Sequence, residues 1–304
     1  MVKRVVSVSI GSSKRNHKVY ARIKGIDFEI ERIGTDGSIE KAIEIIKSLD
    51  GKVDAFGMGG IDIVLYGGGK NYVIKKALPI KNAAQKTPLV DGTGVKNTFE
   101  KWVIKYLQKN NVIDFKDRTA LVVCALDRYK LAEGLYEAGC KLLLGDALFA
   151  LGIPFMIKSL KTFYYLAALL VPFIIKLPFE MLYPNDDRKE ENPKKLQKYW
   201  KYYKIADIIA GDYKYIQKYM PDNLENKIII TNTITKEDVE DLKARKLKML
   251  VTTTPEFDGR SFGTNVVEAI LVALTGKRLE EMSEQEIEEL IKEIDFKPRV
   301  EIFY

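Results

Sequence analysis

Residues 118–146 read RTALVVCALDRYKLAEGLYEAGCKLLLGD. An apolar run, a polar break, an amphipathic stretch and a second apolar run follow one another within a single short segment. Strands that are apolar throughout are buried on both faces, and a strand–helix–strand unit of this kind builds a parallel sheet. The unit recurs downstream, with strands expected at 120–125, 141–144, 207–210, 227–231 and 249–253. Helical spacing is expected at 128–138, 213–219, 235–246, 264–275 and 283–294. The alternation predicts an α/β fold whose C-terminal part is a doubly wound, Rossmann-like parallel-sheet domain.

Outward from this segment toward the N-terminus, residues 4–10 alternate as a strand, and 19–33 form a hairpin turning at Lys24-Gly25. Ile39, Ala42, Ile43, Ile46 and Leu49 recur at helical spacing behind Ser38, a residue type that caps helices. A strand at 53–56 leads into Gly57-Met58-Gly59-Gly60-Ile61-Asp62, and a second hairpin turns at Gly67-Gly68-Gly69. The chain then divides into an N-terminal α/β domain, 1–112, and the Rossmann-like domain, 113–304.

Residues 147–183 break the alternation. They are almost wholly apolar, yet the run of 14 residues between Lys161 and Lys176 contains Pro172. It is short of the roughly 20 residues that a spanning helix needs. The reading is a helical apolar insertion at about 147–204. It serves either as buried core or subunit interface, as a lid over a hydrophobic substrate, or, through 158–204, as a peripheral membrane contact.

The chain has 304 residues, 46% hydrophobic and 30% charged, with a formal net charge of +7. A packed core in about two domains follows, and disorder is excluded. Acids are interspersed among the cations, which is not the pattern of a dedicated nucleic-acid binder. Two cysteines, Cys124 and Cys140, make neither a disulfide framework nor a four-ligand zinc site, and a sole histidine excludes a multi-histidine metal centre. The N-terminal Met-Val-Lys-Arg-Val-Val-Ser-Val-Ser lacks the apolar core of a signal peptide, so a cytoplasmic protein is expected.

Ligands of open parallel sheets bind outside the carboxyl ends of the strands. There the chain presents Ala125, Asp127 and Arg128 where a dinucleotide fold has its glycine-rich turn, but the G-x-G-x-x-G pattern is absent. Arg128 is either an anion contact or a surface residue. Asp146 ends the second strand of this domain and is either a ribose ligand or a helix cap. Asp91 either orients a hydroxyl for proton transfer or caps the next helix. Ser12, Ser13 and His17 lie in a polar loop suited to an anion. Asn232, Thr253, Thr254 and Gly263 complete the polar loops.

With these residues in place, the layout resembles the shikimate and quinate dehydrogenase family. Asp91-Gly92-Thr93-Gly94 is similar to that family's Asp-Gly-x-Gly segment, and Ser12 and Ser13 fall where it holds the substrate carboxylate. Ala206-Asp207-Ile208-Ile209, Thr252-Thr253-Thr254-Pro255 and Gly263…Glu268-Ala269…Leu274-Thr275-Gly276 look like its later motifs. Glu268 replaces a glutamine, and the segment bearing the family's lysine is absent, leaving Lys70 and Lys96 as the lysines nearest in sequence.

The resemblance implies a dehydrogenase of a hydroxylated ring acid that uses NAD in preference to NADP. Asp91, Lys70 and Lys96 would be catalytic. Ser12, Ser13, His17, Gly59, Gly60, Asn97 and Glu268 would bind substrate. Ala125, Asp127, Arg128, Asp146, Asn232, Thr253, Thr254 and Gly263 would bind cofactor, with no metal. The alternative is a non-redox protein of the same fold that binds a nucleotide or anionic metabolite, possibly at a membrane surface. The expected partners are a small anionic metabolite and further copies of the chain.

Overall fold

The computed structural model describes residues 2–176, 193–257 and 259–304. Its first sheet is built from β1 (Lys3–Ser9), β2 (His17–Ile23), β3 (Ile26–Gly34), β4 (Ala55–Gly59) and β7 (Leu89–Val90). The order is β2-β3-β1-β4-β7, and every pair is parallel except the β2–β3 hairpin. Helix α1 (Ile39–Leu49) begins where Ser38 accepts from the Lys41 amide, and it buries Ala42 and Ile46 against the sheet. The hairpin of β5 (Val64–Gly67) and β6 (Lys70–Val73) projects from the end of β4, and the short helix α2 (Leu78–Lys81) follows. Helix α3 (Thr93–Lys109) then carries the chain to the second sheet.

The second sheet comprises β8 (Thr119–Val122), β9 (Lys141–Leu144), β10 (Ile208–Ala210), β11 (Ile228–Thr231), β12 (Met249–Thr252) and β15 (Arg299–Ile302). The molecule is thus a mixed α/β protein of two parallel-sheet units. Within the second unit the Rossmann-like expectation needs correction. The order is β15-β12-β11-β10-β8-β9, with β15 antiparallel at the edge. A Rossmann order places the third strand outside the second. In this chain the third strand, β10, lies on the other side of β8.

The reason is the face that each crossover takes. Helix α4 (Tyr129–Glu137), between β8 and β9, packs Leu131 and Leu135 with Val122 and Leu144 on one face. The helix before β10, Pro193–Ile205, packs Tyr199 and Tyr203 with Leu121 and Leu143 on the other. Right-handed crossovers on opposite faces send their strands to opposite sides of β8.

The same contacts divide the expected insertion. Its last part, Pro193–Ile205, is an ordinary crossover helix, and 177–192 lie outside the described residues. Helix α5 (Asp146–Phe149) is a single turn after β9. The added element is α6 (Leu160–Ile174), capped by Ser159. Phe163, Ala167 and Val171, spaced i, i+4, i+8, form its buried stripe, which faces the β5–β6 hairpin. At the hairpin turn, Gly68 has φ +56°, and a Cβ there would stand 2.1 Å from that of Ala168. Only glycine allows this approach.

The helix at 264–275, α7 (Thr264–Thr275), returns to the first sheet. Val266, Ala269, Ile270 and Ala273 cover Val5, Ile30 and Val90 on the face opposite α1. Val95, Phe99, Val103 and Leu107 of α3 belong to one continuous core that reaches both sheets. The short hairpin of β13 (Glu256–Phe257) and β14 (Arg260–Ser261), and the edge strand β15, had no counterpart in the sequence reading.

Candidate functional site

The carboxyl ends of the two sheets meet around one buried lysine. Lys96 enters α3 one turn after β7, and its Nζ donates to Asp62 Oδ1 at 2.7 Å and to Asp127 Oδ1 at 2.6 Å. Asp62 comes from the loop after β4 and Asp127 from the turn after β8, so the lysine ties the two units together. Burial opposes the charge of Lys96, yet Asp127 and Asp62 hold its pKa above the ordinary lysine value. Burial also pushes Asp62 up to about 7 against the pull of Lys96, and Asp127 and Asp91 push in the same direction. Burial works against Asp127 as well, but Lys96 and Arg128 together hold it well below the carboxylate range.

The network continues through Arg128, which is 3% exposed. Its guanidinium pairs with Glu100 of α3, with Asp127 at 2.8 Å and with Asp212 at 3.3 Å. The Asn232 amide fits the same cluster when its oxygen accepts from Arg128 Nη2 at 2.7 Å and its nitrogen donates to Asp212. Arg128 is therefore a buried ion that joins α3 to three strand ends. It is neither a surface residue nor free for a phosphate. Losing one member would leave the others charged in a low-dielectric interior.

The turn after β8 is closed by the protein itself. Asp146, the first residue of α5, accepts from the Ala125 amide at 3.0 Å and the Leu126 amide at 2.8 Å. Burial pushes Asp146 up to about 6, and those two amides oppose the rise. These are the donors that a dinucleotide fold turns toward pyrophosphate. The expected ribose ligand thus occupies the expected phosphate cradle. Thr253 and Thr254 are buried after β12, with β8, β10 and β11 between them and β9. Gly263 caps α7, where a Cβ would stand 2.7 Å from Asn265 Oδ1.

Of the expected catalytic residues, Asp91 and Lys70 stand at opposite ends of the β5–β6 hairpin, and Lys96 is paired with Asp62 and Asp127. Asp91 Oδ2 accepts from the Ile63 amide at 2.6 Å, and Oδ1 accepts from the Thr93 amide at 3.0 Å. Its carboxylate therefore anchors the base of the β5–β6 hairpin and the start of α3. Lys70 is exposed at the tip of that hairpin, opposite Gly67 in the register. Glu268 is 1% exposed and accepts from the Gly94 amide at 3.0 Å, satisfying a free donor of the α3 N-terminus. Burial, with Asp91 and Glu280 adding, raises Glu268 well above the carboxylate range.

Ser12 caps the short turn Ser13–Arg15, and the Ser13 amide donates to Asp36. His17 begins β2 with its ring 5.8 Å from Phe262. Gly59 and Gly60 end β4, and Gly60 packs against the backbone of Gly11. These residues stand at a second junction of the two units, where Arg15 pairs with Asp238 at 3.3 Å and Arg260 donates to the Arg15 carbonyl at 3.0 Å.

Of the residues singled out in the sequence, Lys96, Asn97 and Asp127 come together. With Thr93, Leu65, Tyr66 and Tyr129 they line a small pocket of ≈ 20 Å³ between α3, the hairpin and the turn after β8. The rings of Tyr66 and Tyr129 stand 5.8 Å apart at its wall. Sequence reasoning missed Asp62, Glu100 and Asp212 as members of the site. Asp62 and Asp212 were visible as acids just after strands, whereas Glu100, inside a helix, carried no signal. Among the described residues, no three His, Cys, Asp or Glu side chains converge as metal ligands.

The chain belongs to the family described as domain of unknown function DUF8754, which matches residues 94–303, and a second domain of unknown function, DUF8753, matches residues 4–91. No curated protein matches it. Solved structures similar to it include a galactofuranose binding protein (12% identity, 99% of this chain and 95% of that one, TM-score 0.35). A glucose-galactose binding protein, GanP, from Geobacillus stearothermophilus aligns at 11% identity over 100% and 98%, with a TM-score of 0.39. A periplasmic ribose ABC transporter protein from Conexibacter woesei aligns at 11% identity over 95% and 94%, with a TM-score of 0.38. These three carry the names of sugar-handling proteins. The expectation of an NAD-dependent dehydrogenase is corrected on the turn after β8, whose amides Asp146 already holds.

Proposed function

We propose that the protein binds a small, polyhydroxylated metabolite, without hydride transfer, in the pocket over Lys96 and Asp127. The observation that carries this reading is the composition of the pocket wall. It offers the hydroxyl of Thr93 and the carboxamide of Asn97, with the Lys96–Asp127 ion pair at its floor, beside the rings of Tyr66 and Tyr129. Donors and acceptors alternate with little net charge, and two aromatic faces stand beside them. A ring bearing several hydroxyls uses both kinds of contact, since each hydroxyl donates and accepts and its C–H face stacks on an aromatic ring. The pocket at rest has room for about one water, so the reading requires the hairpin wall at Tyr66 to move outward as the ring enters.

The test is isothermal titration of the full chain with a panel of pentoses, hexoses and polyols, repeated on Asn97→Leu. Asn97 lines the pocket but is outside the buried ion pairs, so the variant should fold. At least one member should bind, and the variant should weaken that binding by roughly tenfold, the value of one or two lost hydrogen bonds. If no member binds, or if the variant binds as well as the parent, the reading is wrong.

A further inference from the structure

Helix α6 has two apolar faces, and among the described residues only one is covered. With 100° between successive residues, Phe163, Ala167 and Val171 fall on the buried arc. Tyr165, Leu169 and Phe173 fall on the opposite arc and are 62%, 63% and 64% exposed, while Leu170, 46% exposed, falls at the edge of the buried arc. Aromatic and aliphatic side chains of this size in one exposed row exceed the scattered apolar residues of an ordinary surface.

The segments of α6 and of the hairpin carry charge of one sign, and the acids of α4, which packs on α6 through Tyr129, are Glu133 and Glu137, both paired with Lys101. Residues 147–176 contain Lys158, Lys161 and Lys176 and no Asp or Glu. The hairpin against which α6 packs lies in a stretch, 63–90, that also has no acid. It contributes Lys70, Lys75 and Lys76, all exposed, and its Val73 is exposed as well. At the N-terminal end of α6, Lys158, Lys161, Tyr136 and Tyr165 line an open groove of ≈ 480 Å³. Lysines and tyrosines mixed at the rim of an apolar stripe suit the headgroup layer of a bilayer, where the stems and rings are buried and the polar ends remain wet. No helix among the described residues is long and apolar enough to cross a membrane.

We infer that the exposed face of α6 seats the protein on the surface of an anionic lipid bilayer. Leu169 and Phe173 enter the acyl boundary, and the lysines of α6 and of the β5–β6 hairpin meet the phosphates. The crossover helix Pro193–Ile205 is not part of this surface, because its aromatic residues pack on the other face of the second sheet. The contact is therefore narrower than the whole lysine-rich region from 158 to 204.

The test is cosedimentation of the full chain with vesicles of phosphatidylcholine alone and of phosphatidylcholine containing about one third phosphatidylserine. The parent should bind the mixed vesicles and lose most of that binding at high salt. Leu169→Glu/Phe173→Glu, at two exposed positions, should keep the parent's unfolding midpoint and bind roughly tenfold more weakly or less. Failure of the parent to bind the mixed vesicles overturns the inference, and so does undiminished binding by the double variant. A parent dimer that the double variant disperses, without vesicle binding, would assign the face to a second copy and also overturn it.

Discussion

After β1 the chain turns through 10–13, and after β8 it turns through 123–128. In both sheets this is the place where the strand order reverses, with the next two strands of the parallel set lying on opposite sides. In the first turn the Gly11 amide and Arg32 Nη2 both donate to Ser9 Oγ, each at 3.1 Å, and Arg32 Nη1 donates to the Ser12 carbonyl. Its charged groups are Arg32 and the exposed Asp36, which accepts from the Ser13 amide, and neither is buried. In the second turn two amides are held by the carboxylate of Asp146, and Asp127 and Arg128 are buried in an ion network. The same backbone geometry can therefore be completed either by hydroxyls and carbonyls or by buried ions. In the second solution the carboxylate of Asp146 takes the two amides that a phosphate would use.

The comparison is broken most severely at Arg128. Arg128→Met leaves Glu100, Asp127 and Asp212 without their shared cation and should cost about 3–5 kcal/mol in urea unfolding. Arg32→Met, at the first turn, should cost about 1 kcal/mol. Equal losses would show that the two turns are held alike. Lys96→Met should cost about 3 kcal/mol, and pairing it with Asp62→Asn should recover part of that loss, because one of two unpaired carboxylates is then removed.

Asp146→Ala should cost about 1–3 kcal/mol by leaving the Ala125 and Leu126 amides unsatisfied. It also sharpens the comparison, since the emptied cradle should now be stabilised by millimolar phosphate while the parent is not. On the first turn, Gly60→Ala should cost about 1–2 kcal/mol. Gly60 has φ +79°, and a Cβ would stand 3.2 Å from the Gly11 amide nitrogen.

The smallest effect is in pH. Asp62 is raised from 3.8 to about 7 and Asp146 from 3.8 to about 6. Between those limits the native chain holds protons that the unfolded chain has released, so stability falls as the pH rises from about 4 to 7. Asp127, lowered in the native state, acts in the opposite sense, and its contribution is lost as the pH falls below 3.8. Thermal midpoints should therefore decline by a few degrees between pH 5 and about 7.5, and Asp62→Asn should flatten the decline above about pH 6. An unchanged slope in that variant would remove Asp62 from the account.

Much of this fold was legible in the sequence, and much of the site was not. Helices 213–219 and 264–275 stand where their periodicity places them, and the apolar strands of the second sheet lie within a few residues of expectation. Periodicity shows that a helix has an apolar stripe but not which face of a sheet receives it. For that reason the position of β10, the return of α7 to the first sheet and the use of Pro193–Ile205 as a crossover were not readable. Local spacing also picked out Asp91, Arg128 and Asp146 as residues after strands. It could not tell a carboxylate that binds a ligand from one that caps the chain's own amides, because the amides of Ile63 and Ala125 lie 28 and 21 residues away. Glu100, 28 residues from Arg128 on a helix face, looked like any helical acid.

The most direct test of the account is thermal unfolding of the parent with millimolar monosaccharides and polyols, set beside the same measurement with NAD and NADP. A ligand at about 100 times its Kd adds roughly 2.7 kcal/mol, which at this chain length raises the midpoint by several degrees. The account predicts such a rise with at least one polyhydroxylated compound and none with either dinucleotide. A rise with NAD or NADP, and none with any sugar or polyol, would contradict it.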